Sequence, residues 1–155
     1  MRNFDVLIIG AGPAGIFTAL ELNKQNPNLK ILIIDKGRTI EKRVCPERTQ
    51  GYCSQCAVCG ITSGWSGAGA FSDGKLSLSP EVGGRITEYM SQQEAQDLIN
   101  YADQYYLGFG ASPEVYGLNN QIVDDVSYEA SKHAIKLIPC PVRHLGTEHA
   151  YQVLK

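Results

Sequence analysis

Gly10-x-Gly12-x-x-Gly15, which follows Val6-Leu7-Ile8-Ile9 without a gap, constrains this chain more than any other feature. Val6 to Ile9 is a short, unbroken run rich in β-branched residues and reads as a fully buried parallel strand. Gly10 permits the sharp turn out of that strand, Gly12 puts no Cβ in the way of a pyrophosphate, and Gly15 lets the next helix lie close on the strand. Pro13 and Ala14 open the helix, where a missing N–H costs nothing and the remaining free N–H groups sit at the positive end of the helix dipole. That end favours an anion.

Glycine-rich turns also occur in βαβ units that bind nothing, so the discriminating residues lie downstream. Ala14, Phe17, Ala19 and Leu20 fall near helical spacing, Asn26-Pro27-Asn28 breaks the helix, and Ile31-Leu32-Ile33-Ile34 is a second apolar strand that ends at Asp35. A carboxylate at that strand end accepts hydrogen bonds from ribose hydroxyls and repels a 2′-phosphate. The candidate cofactor residues are therefore Gly10, Gly12, Pro13, Ala14, Gly15 and Asp35.

A chain of 155 residues, 43% hydrophobic and 19% charged, carries enough apolar mass for one domain. The net charge of −2, with scattered Lys and Arg, gives no nucleic-acid surface, and no segment has the length of a membrane span or the form of a signal peptide. A cytoplasmic protein is the expectation. Its five cysteines are then thiols or metal ligands and not structural disulfides.

Between residues 36 and 64 the chain lacks periodicity. Lys36 and Arg43, the latter closing the charged run Glu41-Lys42-Arg43, either touch the nucleotide or lie on a solvated loop. Cys45, Cys53, Cys56 and Cys59 have spacings that let successive sulfurs converge on zinc or an iron-sulfur cluster; reduced thiols in a loop and a redox pair are the other readings. Next comes Gly64-Trp65-Ser66-Gly67-Ala68-Gly69-Ala70-Phe71-Ser72-Asp73-Gly74-Lys75-Leu76. Its small residues let backbone N–H groups approach a flat or anionic ligand, while Trp65 and Phe71 favour packed positions over a loose surface loop.

The Gly10 to Gly15 start, the Ile33-Ile34-Asp35-Lys36-Gly37 strand end and, above all, the cysteine stretch leading into Gly64 to Leu76 resemble the family of uncharacterised FAD-dependent dehydrogenases. Ser79 to Gly84 and Pro141 to Thr147 extend the likeness along the chain, and Ser66 stands where that family carries glycine. The resemblance implies FAD, with its ADP half on the first βαβ unit and its pyrophosphate and flavin near Gly67, Ala68, Gly69, Ala70, Phe71, Ser72 and Asp73. It also implies a longer protein, with a substrate domain beyond the end of this sequence.

In the last third, Ser91-Gln92-Gln93-Glu94 is a capping-box pattern, and Ala95, Leu98, Ile99, Ala102, Tyr105 and Phe109 follow as the inward face of a helix. A second helix is expected over 120–136 with Ile122, Val123, Val126, Ala130 and Ala134 inward. Leu137 to Val142 reads as a strand interrupted by Pro139 and Pro141, and Thr147 as the cap of a final helix. His144 reads as structural, and no residue stands out as catalytic.

The expectation is an α/β chain with a Rossmann-like FAD/NAD(P)-binding parallel sheet, incomplete and carrying a helical insertion. Residues 1–36 form the ADP-binding unit, 37–84 the cysteine- and glycine-rich cofactor loop, and 85–155 the helical segment and strand. The function expected is that of a flavin-dependent oxidoreductase acting on an unidentified small molecule, with NAD(P) as a candidate co-substrate. An NAD-binding oxidoreductase domain, a non-enzymatic cysteine-cluster module that binds metal or serves assembly, and an inactive fragment are the rivals. A sheet short of partners also predicts self-association.

Overall fold

The two apolar runs near the N-terminus pair as strands, and the residues between them form the helix that their spacing predicts. In a computed structural model that describes residues 3–155, β1 (Val6–Ile9) and β2 (Ile31–Ile34) run parallel, with Val6 opposite Ile31 and Ile9 opposite Ile34. Helix α1 (Pro13–Gln25) connects them. It stops at Asn26, whose N–H still reaches Leu22 O at 2.9 Å and whose side chain accepts from Asn28 N at 3.2 Å, while Pro27 has no N–H to continue the ladder. These elements belong to the first of two units, which comprises the chain up to Ser72 together with Leu154 and Lys155. The same unit holds the single-turn α2 (Glu47–Gln50) and a 3-10 turn over Gly67–Phe71.

The expectation of fully buried strands is corrected. Ile8 points at α1, since a Cβ on Gly15 would lie 3.3 Å from its Cγ2, but Leu7 is 55% and Ile9 81% exposed on the other face. A parallel strand is buried on both faces only where layers cover both. Here the sheet has two strands, and nothing among the described residues covers the Leu7–Ile9 face.

The second unit spans Asp73–Val153. Its sheet is a short antiparallel pair, β3 (Lys75–Ser77) and a strand over Val142–His144, with Leu76 opposite Arg143. The strand expected over Leu137 to Val142 therefore starts only at Val142, because Pro139 and Pro141 cannot donate to a ladder, and it pairs with β3 and not with β1 or β2. Helix α3 (Gln92–Gly108) has the capping box that its sequence predicts: Glu94 N donates to Ser91 Oγ at 3.2 Å, and Ser91 N to Glu94 Oε2 at 2.9 Å. Its buried positions are Ala95 and Asp103, and Leu98 and Phe109 of the expected inward face are exposed.

Helix α4 (Asn120–Ser131) is capped by Asn119, whose side chain accepts from Ile122 N at 3.2 Å. It ends five residues before the expected 136, with Ala134 at φ 55° and Ile135 N bonded back to Ala130 O. Ile122 and Val126, expected inward, are exposed. The strand over Val142–His144 is β4, and α5 (Thr147–Leu154) follows it. The second unit is tied by Arg143, 4% exposed, whose guanidinium meets both carboxylate oxygens of Asp103 at 2.5 and 2.7 Å and donates to Ser112 O at 2.6 Å. No helix among the described residues is long and apolar enough to cross a membrane.

Candidate functional site

Three stretches of the first unit converge on the turn between β1 and α1. The first is the fingerprint itself, whose three glycines do different work. Gly10 has φ 107°, a conformation open to glycine at little cost. A Cβ on Gly15 would collide with Gly10 O, so the helix can lie this close to the strand only with glycine there. Gly12 is the N-cap of α1, no side chain caps that end, and a Cβ built on Gly12 meets nothing within 4 Å. Space and free helix donors thus coincide at Gly12.

The second stretch leaves β2. Asp35 accepts from Ala11 N at 2.9 Å and from Gly37 N at 2.7 Å, so its carboxylate is fastened to the fingerprint turn on one side and to its own loop on the other. These two backbone donors, Ala11 first, hold the Asp35 carboxyl below its ordinary value. A carboxylate has about four acceptor positions, and Asp35 remains exposed to solvent, so acceptors remain for further hydroxyl donors. Pro13 and Ala14 form the first turn of α1, and Lys36 is exposed next to Asp35.

The third stretch is the glycine-rich run. Trp65 N donates to Arg38 O at 3.1 Å, and Gly37 and Gly64 approach so closely that a Cβ on either would strike the other's backbone segment. Ser66 N then donates to Ala11 O at 2.7 Å, and a Cβ on Gly67 would stand 3.5 Å from Gly12 Cα. Ser66 to Gly67 therefore forms a wall beside the open space at Gly12. Behind it, Gly67, Ala68, Gly69, Ala70 and Phe71 make the 3-10 turn, Ala70 is buried, and Ser72 Oγ donates to Gly69 O at 3.0 Å. Asp73 begins the second unit, where it pairs with Lys75 at 2.8 Å; that bond lowers its pKa.

Arg43 is not on a solvated loop: it is 5% exposed. Its Nε donates to Gly60 O at 3.0 Å, Nη1 to Trp65 O at 2.6 Å and Gly67 O at 2.7 Å, and Nη2 to Ile61 O. Phe71 lies against it, with the guanidinium carbon 4.7 Å from the ring centroid. Burial pushes the Arg43 pKa down, opposed through space by Asp35 and Cys59.

The structure does not gather the four cysteines into a ligand set. Cys53, Cys56 and Cys59 are exposed, Cys45 is half-buried, all are free thiols, and no three metal-ligating side chains converge among the described residues. Cys59 alone has a marked environment: the N–H groups of Ile61 and Thr62 and the Thr62 hydroxyl hold its thiol below the ordinary value.

Ser66 and Leu154 were not among the site residues expected from the sequence. Ser66 is 1% exposed with φ 65°, and its hydroxyl and the Trp65 indole N–H both donate to Leu154 O at 2.9 Å. That left-handed backbone is one that glycine adopts at the least cost. Comparisons of the chain with models of known protein families, with curated proteins and with solved structures found no match.

Proposed function

We propose that the first unit binds the ADP half of FAD and that the chain serves a flavin-dependent oxidoreductase. The observation that carries this is the uncapped start of α1 at Gly12, open to solvent, walled by Ser66 and Gly67, and flanked by a carboxylate pinned to Ala11. A diphosphate suits the first feature because unpaired helix N–H groups and the helix dipole both favour an anion. Ribose hydroxyls suit the third, since Asp35 keeps acceptor positions and a negative charge that disfavours a 2′-phosphate. Bound FAD supplies the hydride chemistry; the chain's residues bind it and hold it in place. Five free thiols fit a reducing compartment such as the cytoplasm.

NAD shares the ADP half, and the same residues suit it, so the test compares the ligands. Calorimetric titration of the full chain with FAD, NAD, ADP and 2′-phospho-ADP should show binding of the first three and much weaker binding of the last. FAD tighter than NAD supports the flavin reading. Gly12→Val should keep the circular dichroism of the parent and bind ADP at least about a hundredfold more weakly, the equivalent of about 3 kcal/mol. A folded Gly12→Val chain that binds ADP like the parent would falsify the assignment.

A further inference from the structure

Arg43 differs from the other charged groups of the first unit in being buried without a counter-ion in contact with it. Among the described residues it forms no salt bridge; Asp35, whose two oxygens already accept from Ala11 N and Gly37 N, and the Cys59 thiol act on it only through space. Its donors go instead to four backbone carbonyls, of Gly60, Ile61, Trp65 and Gly67. Carbonyl dipoles solvate a cation without cancelling it, so a positive charge remains inside the protein. The place of that charge is specific. Trp65 and Gly67 bracket Ser66, which bonds to Ala11 O, and Gly67 itself rests against Gly12.

Resting on the dinucleotide reading above, we infer that Arg43 is a positioning residue for the diphosphate. Its planar fork gathers residues 60–67 into the wall beside Gly12, and its charge, with no contacting counter-ion, lies behind that wall without touching the ligand. A guanidinium is needed for the first task, because a lysine ammonium presents its donors from one atom and cannot span carbonyls from Gly60 to Gly67. Any cation at that point serves the second.

The two tasks separate in a charge-selective experiment on the full chain. Parent, Arg43→Lys and Arg43→Gln proteins are titrated with ADP and with adenosine, which share base and ribose and differ in the phosphates, and folding is checked by circular dichroism and thermal melting. Arg43→Gln should bind ADP at least about tenfold more weakly and Arg43→Lys a few-fold more weakly, with adenosine affinity within about twofold of the parent in both. Either variant alone decides if the other fails to fold. A parallel loss of ADP and adenosine binding, or no loss of either, overturns the inference and leaves Arg43 a packing residue. A parent that binds neither ligand overturns the dinucleotide reading instead.

Discussion

Both oxygens of Asp35 accept from backbone N–H groups, and this makes the residue a support of the fingerprint turn as well as a candidate ribose acceptor. Because its folded pKa lies below its ordinary value, the ionised form stabilises the native state. That contribution is fully present above the unfolded value of about 4 and is lost as pH falls through the lower, folded value. Asp35→Asn should therefore be less stable than the parent in urea at pH 7, and the gap should narrow as the pH is taken from 5 towards 3 (about the range over which the carboxylate protonates). A gap that stays constant over that range would show that Asp35 acts by shape alone. The position of Asp35 was legible from its spacing to Gly15, but its bonds to Ala11 and Gly37 were not. Ser66 and Arg43 were harder still. A serine at positive φ has no sequence mark, and a cage of backbone carbonyls leaves no side-chain pattern.

At the scale of elements, capping chemistry was the reliable signal and facing was not. Ser91 and Glu94 set the start of α3, and Asn26-Pro27 set the end of α1, because those side chains act on their own backbone. The end of α4 was hidden because Ala134 takes the left-handed turn that usually calls for glycine. Apolar residues of α3 and α4 were assigned inward by their spacing, yet the tie of the second unit is a polar one, Asp103 on α3 to Arg143 on β4, 40 residues apart. The Asp103 bond raises the Arg143 pKa, and both side chains lie almost wholly inside. Removing one partner strands the other, so Asp103→Ala should cost about 3–5 kcal/mol in chemical denaturation. The double change Asp103→Leu/Arg143→Met should cost distinctly less. Equal losses would mean that the pair itself, and not the stranded charge, sets the penalty.

At the scale of the whole molecule, each unit leaves large apolar side chains exposed: Leu7, Ile9 and Ile34 on the parallel sheet of the first, and Ile122, Val126 and Tyr128 on α4 of the second, are all at least two-fifths exposed. Exposed apolar side chains on either unit favour association. The chain should self-associate with rising concentration in analytical ultracentrifugation. Leu7→Thr/Ile9→Thr, which keeps strand preference, should weaken that association about tenfold or more, given the 1.5–3 kcal/mol that burial of each such side chain is worth. An unchanged association constant would place the contact elsewhere.

The carbonyl of Leu154 accepts from both Trp65 and Ser66, the latter 88 residues away in sequence. That long closure bears on the order in which the protein is made. The strand pair and the fingerprint turn need only the first few dozen residues, and contacts that are local in sequence form early and fast. The wall beside Gly12 cannot gain its last two bonds until residue 154 has been synthesised, and the entropy of closing so long a loop must be met at that late step. A nascent chain thus forms its fingerprint turn before the wall beside Gly12 is fastened, and that fastening waits until Leu154 has left the ribosome.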